Sequence, residues 1–138
     1  MFNQTRGRGE PLLLLHGGFG TVEDFSNQTL ELSKQLRVAA FERPGHGHTA
    51  DNNEPFHFAT MTQYAIDFIQ ELGIGPTNLL GWRDGAIVAL LLPISRPDLV
   101  KRLVCVGGSL NPNSVPAQDQ DWIRSGTPSP SEKANRIW

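Results

Sequence analysis

Four short, mainly apolar runs (Leu12–Leu15, Val38–Phe41, Asn78–Leu80 and Leu103–Val106) each stop at a turn that contains glycine. Runs this short, with almost no polar alternation, cannot leave one face in water and read as strands covered on both sides. The segments between them carry helical spacing. Thr21 can cap a helix whose core-facing stripe is Phe25, Leu32 and Leu36. Thr60 and Gln63 stand at capping-box spacing ahead of Tyr64, Ala65, Phe68 and Leu72, a stripe that ends near Gly73 and Gly75. Asp84–Leu92 is apolar nearly all round, which places that helix in an interior. Pro93 sits inside that helix, where it should cost about 3 kcal/mol or a kink; if the helix stops at Leu92, the cost falls. The alternation over residues 12–106 predicts an α/β domain, a mostly parallel sheet with helices on both faces.

At 138 residues the chain is long enough for one domain with a core and too short for two. Twelve basic against fourteen acidic residues leave no positive surplus to hold a nucleic-acid backbone. No apolar run approaches the ~18 residues that span a bilayer, and Met1–Pro11 lacks the basic-then-apolar order of a signal peptide. The single cysteine, Cys105, lies in an apolar run where a thiol is inert packing; its solitude fits a reducing, cytoplasmic setting. From Ser109 onward the chain changes character. Asn111-Pro112-Asn113, Pro116, Pro128 and Pro130 read as loop, with at most one short helix around Asp119–Arg124.

In an open α/β sheet the chemistry sits at the carboxyl ends of the strands. The first such turn is His16-Gly17-Gly18-Phe19-Gly20. Its glycines would turn N–H groups outward as an oxyanion hole requires, and would serve a plain tight turn equally well. The second spans Glu42–Ala50. Gly45 to Ala50 matches a dinucleotide fingerprint formally, but a polar loop, Asp51–Pro55, follows where that fingerprint must open a helix. His46 and His48 have no third ligand nearby and read as solvent-facing; no metal and no organic cofactor is implied. The third is Gly81-Trp82-Arg83-Asp84-Gly85, between a strand and the buried helix. This is the frame of a nucleophile elbow, G-x-S-x-G, with arginine where serine would stand.

The three turns, followed by Arg96-Pro97-Asp98-Leu99-Val100 and Leu103–Gly107, come in an order and at separations that resemble the N-terminal half of the α/β-hydrolase family. Within it, the elbow is similar to a branch reading G-W-S-D-G, small serine hydrolases of esters and related acyl compounds. The resemblance implies a partial hydrolase fold over residues 1–108 that lacks the C-terminal strands, with residues 109–138 beginning a cap or linker. It also implies an oxyanion hole from the N–H groups of Gly18 or Phe19 and of Asp84, with His16, Gly17 and Trp82 lining the site. Glu42–Thr49 would line it without doing chemistry.

Arg83 takes the nucleophile's place, and a guanidinium stays protonated at any working pH. Ser26, Ser95 and Ser109 lie outside the elbow. Asp84 would begin the helix, point elsewhere and favour the helix N-terminus by charge. The family's triad acid and histidine follow the nucleophile in the chain, whereas His46, His48 and His57 precede it and Asp119 and Asp121 fall in the cap or linker. The expectation is a truncated serine ester or acyl hydrolase that is inactive as written, with a small ester or carboxylate as ligand. The alternative is a non-catalytic module that binds a small anion or a protein through the former oxyanion pocket. Expected partners include a second copy along an exposed strand edge near Leu103–Val106, with no nucleic acid and no membrane.

Overall fold

A computed structural model describes residues 1–111, 113, 115–118, 120 and 121. Five strands, β1 (Asn3–Arg6), β2 (Glu10–Leu15), β3 (Leu36–Phe41), β4 (Thr77–Trp82) and β5 (Val100–Val106), form one sheet in the order β1-β3-β2-β4-β5. All neighbours run parallel except β1, which is antiparallel to β3. Three helices connect them: α1 (Ser26–Leu32), α2 (Phe58–Leu72) and α3 (Asp84–Ser95).

The apolar runs fold as strands because their alternate residues feed two cores. Leu13 and Leu15 join Ala39, Phe41 and Leu79 against α2 and α3, where Phe68, Ile69, Val88 and Leu92 close the layer. Leu12 and Leu14, with Val38 and Ala40, face the other way onto Val22, Phe25 and Leu32. Burying both faces at once makes the centre of the sheet the most water-excluded part of the chain. Gly73 ends α2 in the left-handed conformation (φ 61°), and its N–H donates to Gln70 O at 3.1 Å.

Several elements differ from their sequence readings. β1 carries no apolar residue and is wholly exposed, so periodicity gives no sign of it. α1 stops at Leu32, and Leu36 is the first residue of β3, packed against the same apolar cluster as Leu32. The stripe faces one core, but Phe25, Leu32 and Leu36 belong to a 3-10 turn, to α1 and to β3 in turn. Thr21 does cap, with Asp24 in a capping box, but on a 3-10 turn, Val22–Phe25, that precedes α1. Thr60 and Gln63 form no such box. α2 begins at Phe58 after His57, and Gln63 Nε2 instead donates forward to Asp67 Oδ1 at 2.7 Å. β5 starts at Val100, three residues earlier than read. Of the expected short helix, Asp119 and Arg124 lie outside the described residues.

Pro93 does lie inside α3, which runs on to Ser95. Its buried face (Ala86, Val88, Ala89 and Leu92) holds the helix against β2, β4 and β5, and this packing outweighs the backbone bond Pro93 cannot make. Pro93→Ala restores that bond and should raise unfolding stability by about 1–3 kcal/mol in urea titration. An unchanged or lower midpoint would show that the proline ring contributes packing of equal size.

Candidate active site

Arg83 links β4 to α3 at φ 51° and ψ −115°, a conformation that L side chains rarely adopt. It is held there from both sides. Its N–H donates to Val106 O at 2.8 Å, and its carbonyl accepts from Ala86 N at 3.0 Å and Ile87 N at 3.3 Å. A Cβ on Gly81 would overlap Gly85 O, and a Cβ on Gly85 would overlap the carbonyl of Leu15. The paired glycines are therefore a packing requirement of the sharp turn: α3 begins in contact with the end of β2.

That contact brings the first glycine turn beside the elbow. A Cβ on Gly17 would lie 3.3 Å from Arg83 Cβ and 3.5 Å from the Trp82 ring. Gly18 packs under the Asp84 carboxylate, and Phe19 follows in the left-handed region at φ 57°. His16, Gly17, Gly18, Trp82, Arg83 and Asp84 thus converge at one place. Arg83 is exposed, and Trp82 is 37% exposed. Asp84 begins α3, and its carboxylate lies over Gly18. In the first turn of α3 the N–H groups of Asp84 and Gly85 precede the first bonds of the helix, which Ala86 and Ile87 make to Arg83 O.

Beneath this surface lies a set of buried charges that the sequence reading treated as lining. Glu42 is fully buried; its Oε1 accepts from Val22 N at 3.4 Å, and its Oε2 from the backbone N–H of His48 and from His48 Nδ1 at 3.2 Å. His46 is not solvent-facing but 7% exposed, its ring tilted against His16 at 4.9 Å and edge-on to Phe56 at 5.7 Å. His48 is exposed, in line with the sequence expectation, with its ring against Phe2 and its Nδ1 on Glu42. Arg43, 2% exposed, donates from Nη2 to Gly17 O at 2.9 Å and from its backbone N–H to His16 Nε2 at 3.3 Å.

His16 Nε2 accepts from Arg43 N–H, which leaves Nδ1, 3.1 Å from Arg43 Nη2, to donate to Gly17 O at 2.8 Å. The imidazole is neutral. Burial holds its pKa well below the usual histidine value, and the charges of Arg43 and His46 add to this. Burial likewise lowers Arg43 to about 10, opposed by attraction to Asp84. Both groups act on Gly17 O, so the glycine turn is pinned from behind. The available signal in the sequence was position: Glu42 and Arg43 directly continue the buried run of β3. Among the described residues, no three His, Cys, Asp or Glu side chains are grouped to hold a metal ion, and no helix is long and apolar enough to cross a membrane.

Residues 10–130 match the sequence pattern of the alpha/beta hydrolase fold family. A hydrolase of Acinetobacter baylyi, named for (E)-2-((N-methylformamido)methylene)succinate, is 34% identical over 103 residues, covering 75% of this chain and 39% of that protein. The human serine hydrolase BPHL is 32% identical over 113 residues, covering 78% of this chain and 39% of its own length. Among solved structures, a hydrolase from Pseudomonas aeruginosa superposes with a TM-score of 0.79 at 25% identity, over 96% of this chain and 51% of that one. A marine microorganism esterase gives 0.80 at 21% identity, a likeness of fold. The chain spans about two fifths of the length of these curated relatives. With a parallel sheet, a glycine-framed elbow and an adjoining glycine turn in the family's order, the chain belongs to the α/β-hydrolase family.

Proposed function

We propose that this chain carries the elbow and oxyanion half of a serine ester or acyl hydrolase site in which Arg83 has replaced the nucleophile, leaving it catalytically silent. The conformation of Arg83 carries the reading: at φ 51° and ψ −115°, with Gly17 packed beside its Cβ, it occupies the place from which a serine would attack a bound carbonyl. The N–H groups of Asp84 and of Gly18 or Phe19 would then face the developing oxyanion. A permanently protonated guanidinium supplies no electron pair for that attack. His16, the histidine at this corner, is not free to act as base, because it spends both ring nitrogens on Arg43 and Gly17. The hydrolase names of the relatives support the reaction class; the substrate is a small ester or related acyl compound.

A second reading keeps the pocket and drops the chemistry. Arg83 has no ion pair among the described residues, which favours a small carboxylate as its ligand; the Asp84 carboxylate over Gly18 opposes it. A cytoplasmic setting rests on the lone Cys105 and stays part of the proposal. Partnering does too. Among the described residues β5 pairs with β4 alone and exposes Val104 (55%) and Val106 (48%), an edge on which a second copy could add a strand.

Intact mass after a fluorophosphonate probe tests the catalytic claim. Neither this chain nor its Arg83→Ser variant should gain an adduct or turn over an aryl ester, because the variant regains an oxygen but no base. An adduct on the unaltered protein would overturn the silent-site reading. Size-exclusion chromatography across a concentration series tests the edge. A dimer that dissociates on dilution is expected, and a monomer at every concentration would remove the second copy.

A further inference from the structure

The two halves of β5 present different edges. Its start is guarded. The register with β4 passes from Thr77↔Val100 to Asn78↔Arg102, so Lys101 has no partner on β4, and the charges of Lys101 and Arg102 are drawn to Glu10. An irregularity flanked by cations is the kind of device that keeps an edge from pairing. From Arg102 to Val106 the pairing with β4 is regular. No charge follows Arg102 in that stretch, and Leu103, Val104 and Val106 are exposed.

The backbone of this stretch has a definite outward side. Val106 O accepts from Arg83 N, so Val106 and, by alternation, Val104 and Arg102 turn their N–H and C=O groups toward β4. Leu103 and Cys105 therefore turn theirs away from the sheet, with Val104 midway between them. The side chains alternate as well. Cys105 faces α3, donating from Sγ to Ala86 O at 3.5 Å, and Leu103 shares that face, while Arg102, Val104 and Val106 share the other.

We infer that β5 pairs antiparallel with β5 of a second copy, about a two-fold axis through Val104. The inference rests on the reading of this edge as the seat of a second copy, and adds its orientation and register. The stretch complements itself best in that register. Leu103 falls opposite Cys105 of the second copy, and every outward N–H and C=O of these residues is used. Val104 meets its own copy at the close, non-hydrogen-bonded position, with ~4.5 Å between Cα atoms. Arg102 falls opposite Val106, so no cation faces a cation, and its aliphatic stem lies along the valine. An axis at Leu103 would instead draw the irregular Lys101 into the pairing. An axis at Cys105 would draw in Gly107, whose φ of 64° leaves the strand. The pairing joins two five-stranded sheets into one, with the two elbows at opposite ends.

The test places a single cysteine at the axis of the 138-residue chain. In a Cys105→Ala background, Val104→Cys brings two cysteines within the about 4.4–6.8 Å between Cα atoms that a disulfide spans. Leu103→Cys in the same background leaves its pair on the diagonal, about 7–8 Å apart and out of reach. Mild oxidation, at a concentration where sedimentation gives a dimer, should link the Val104 variant, and the Leu103 variant about tenfold less. Val104→Lys sets two cations against each other on the axis and should weaken the dimer about fivefold or more in sedimentation equilibrium. Val104 is exposed, so neither change there disturbs the core. A dimer that links through Leu103 instead, or that is unmoved by Val104→Lys, would overturn the register while leaving the second copy in place. A monomer at every concentration would remove both the register and the second copy on which it rests.

Discussion

The start of α3 touches the end of β2, and most of the remaining architecture follows from that contact. Gly85 has no room for a Cβ because the carbonyls of Leu15 and His16 occupy the space. The helix can only begin this close if the preceding turn is sharp, which forces Arg83 into the left-handed half of backbone space. Once there, Arg83 lies beside Gly17, and the loop after β2 becomes the opposite wall of the same corner. A frame built by such packing does not depend on which side chain the elbow presents. This is how an arginine can occupy it with the fold intact.

Below the corner, a buried polar layer connects three loops. Arg43 and His16 both end on Gly17 O, and Glu42 gathers donors from Val22 and His48. The N-terminal segment closes over this layer: Phe2 O accepts from Glu42 N at 2.9 Å, and Phe2 N donates to Thr49 Oγ1 at 2.9 Å. Partly satisfied polar groups in a low-dielectric interior are costly, so each hydrogen bond here constrains the loops it joins. The turn after β3 therefore positions the glycine turn as firmly as β2 does.

Much of the fold was legible because double burial leaves a plain mark. Leu12–Leu15 has no polar interruption, and its residues divide between two cores. The elbow was legible too, since Gly81 and Gly85 are required by space. What escaped had no such mark. β1 is polar and exposed, and only its pairing with β3 makes it a strand. Leu36 keeps the spacing of a helical stripe because a residue that must reach the core does so from either element. Capping residues misled at Thr60, since α2 begins two residues earlier at Phe58, and it is Thr62 whose hydroxyl donates to Phe58 O inside the helix. The buried state of Arg43 and His46 was hidden because charged residues in a glycine-rich turn ordinarily face water.

Glycine-to-alanine substitution at two positions tests the central claim most directly. Gly73 needs its positive φ but meets nothing within 4 Å, so Gly73→Ala should cost only the backbone term, about 1 kcal/mol. Gly85 is needed for space, and Gly85→Ala should cost about 3 kcal/mol or more, or abolish the cooperative urea transition. Equal midpoints for Gly85→Ala and the unaltered chain would mean that α3 does not begin against β2, and the elbow described above would not exist.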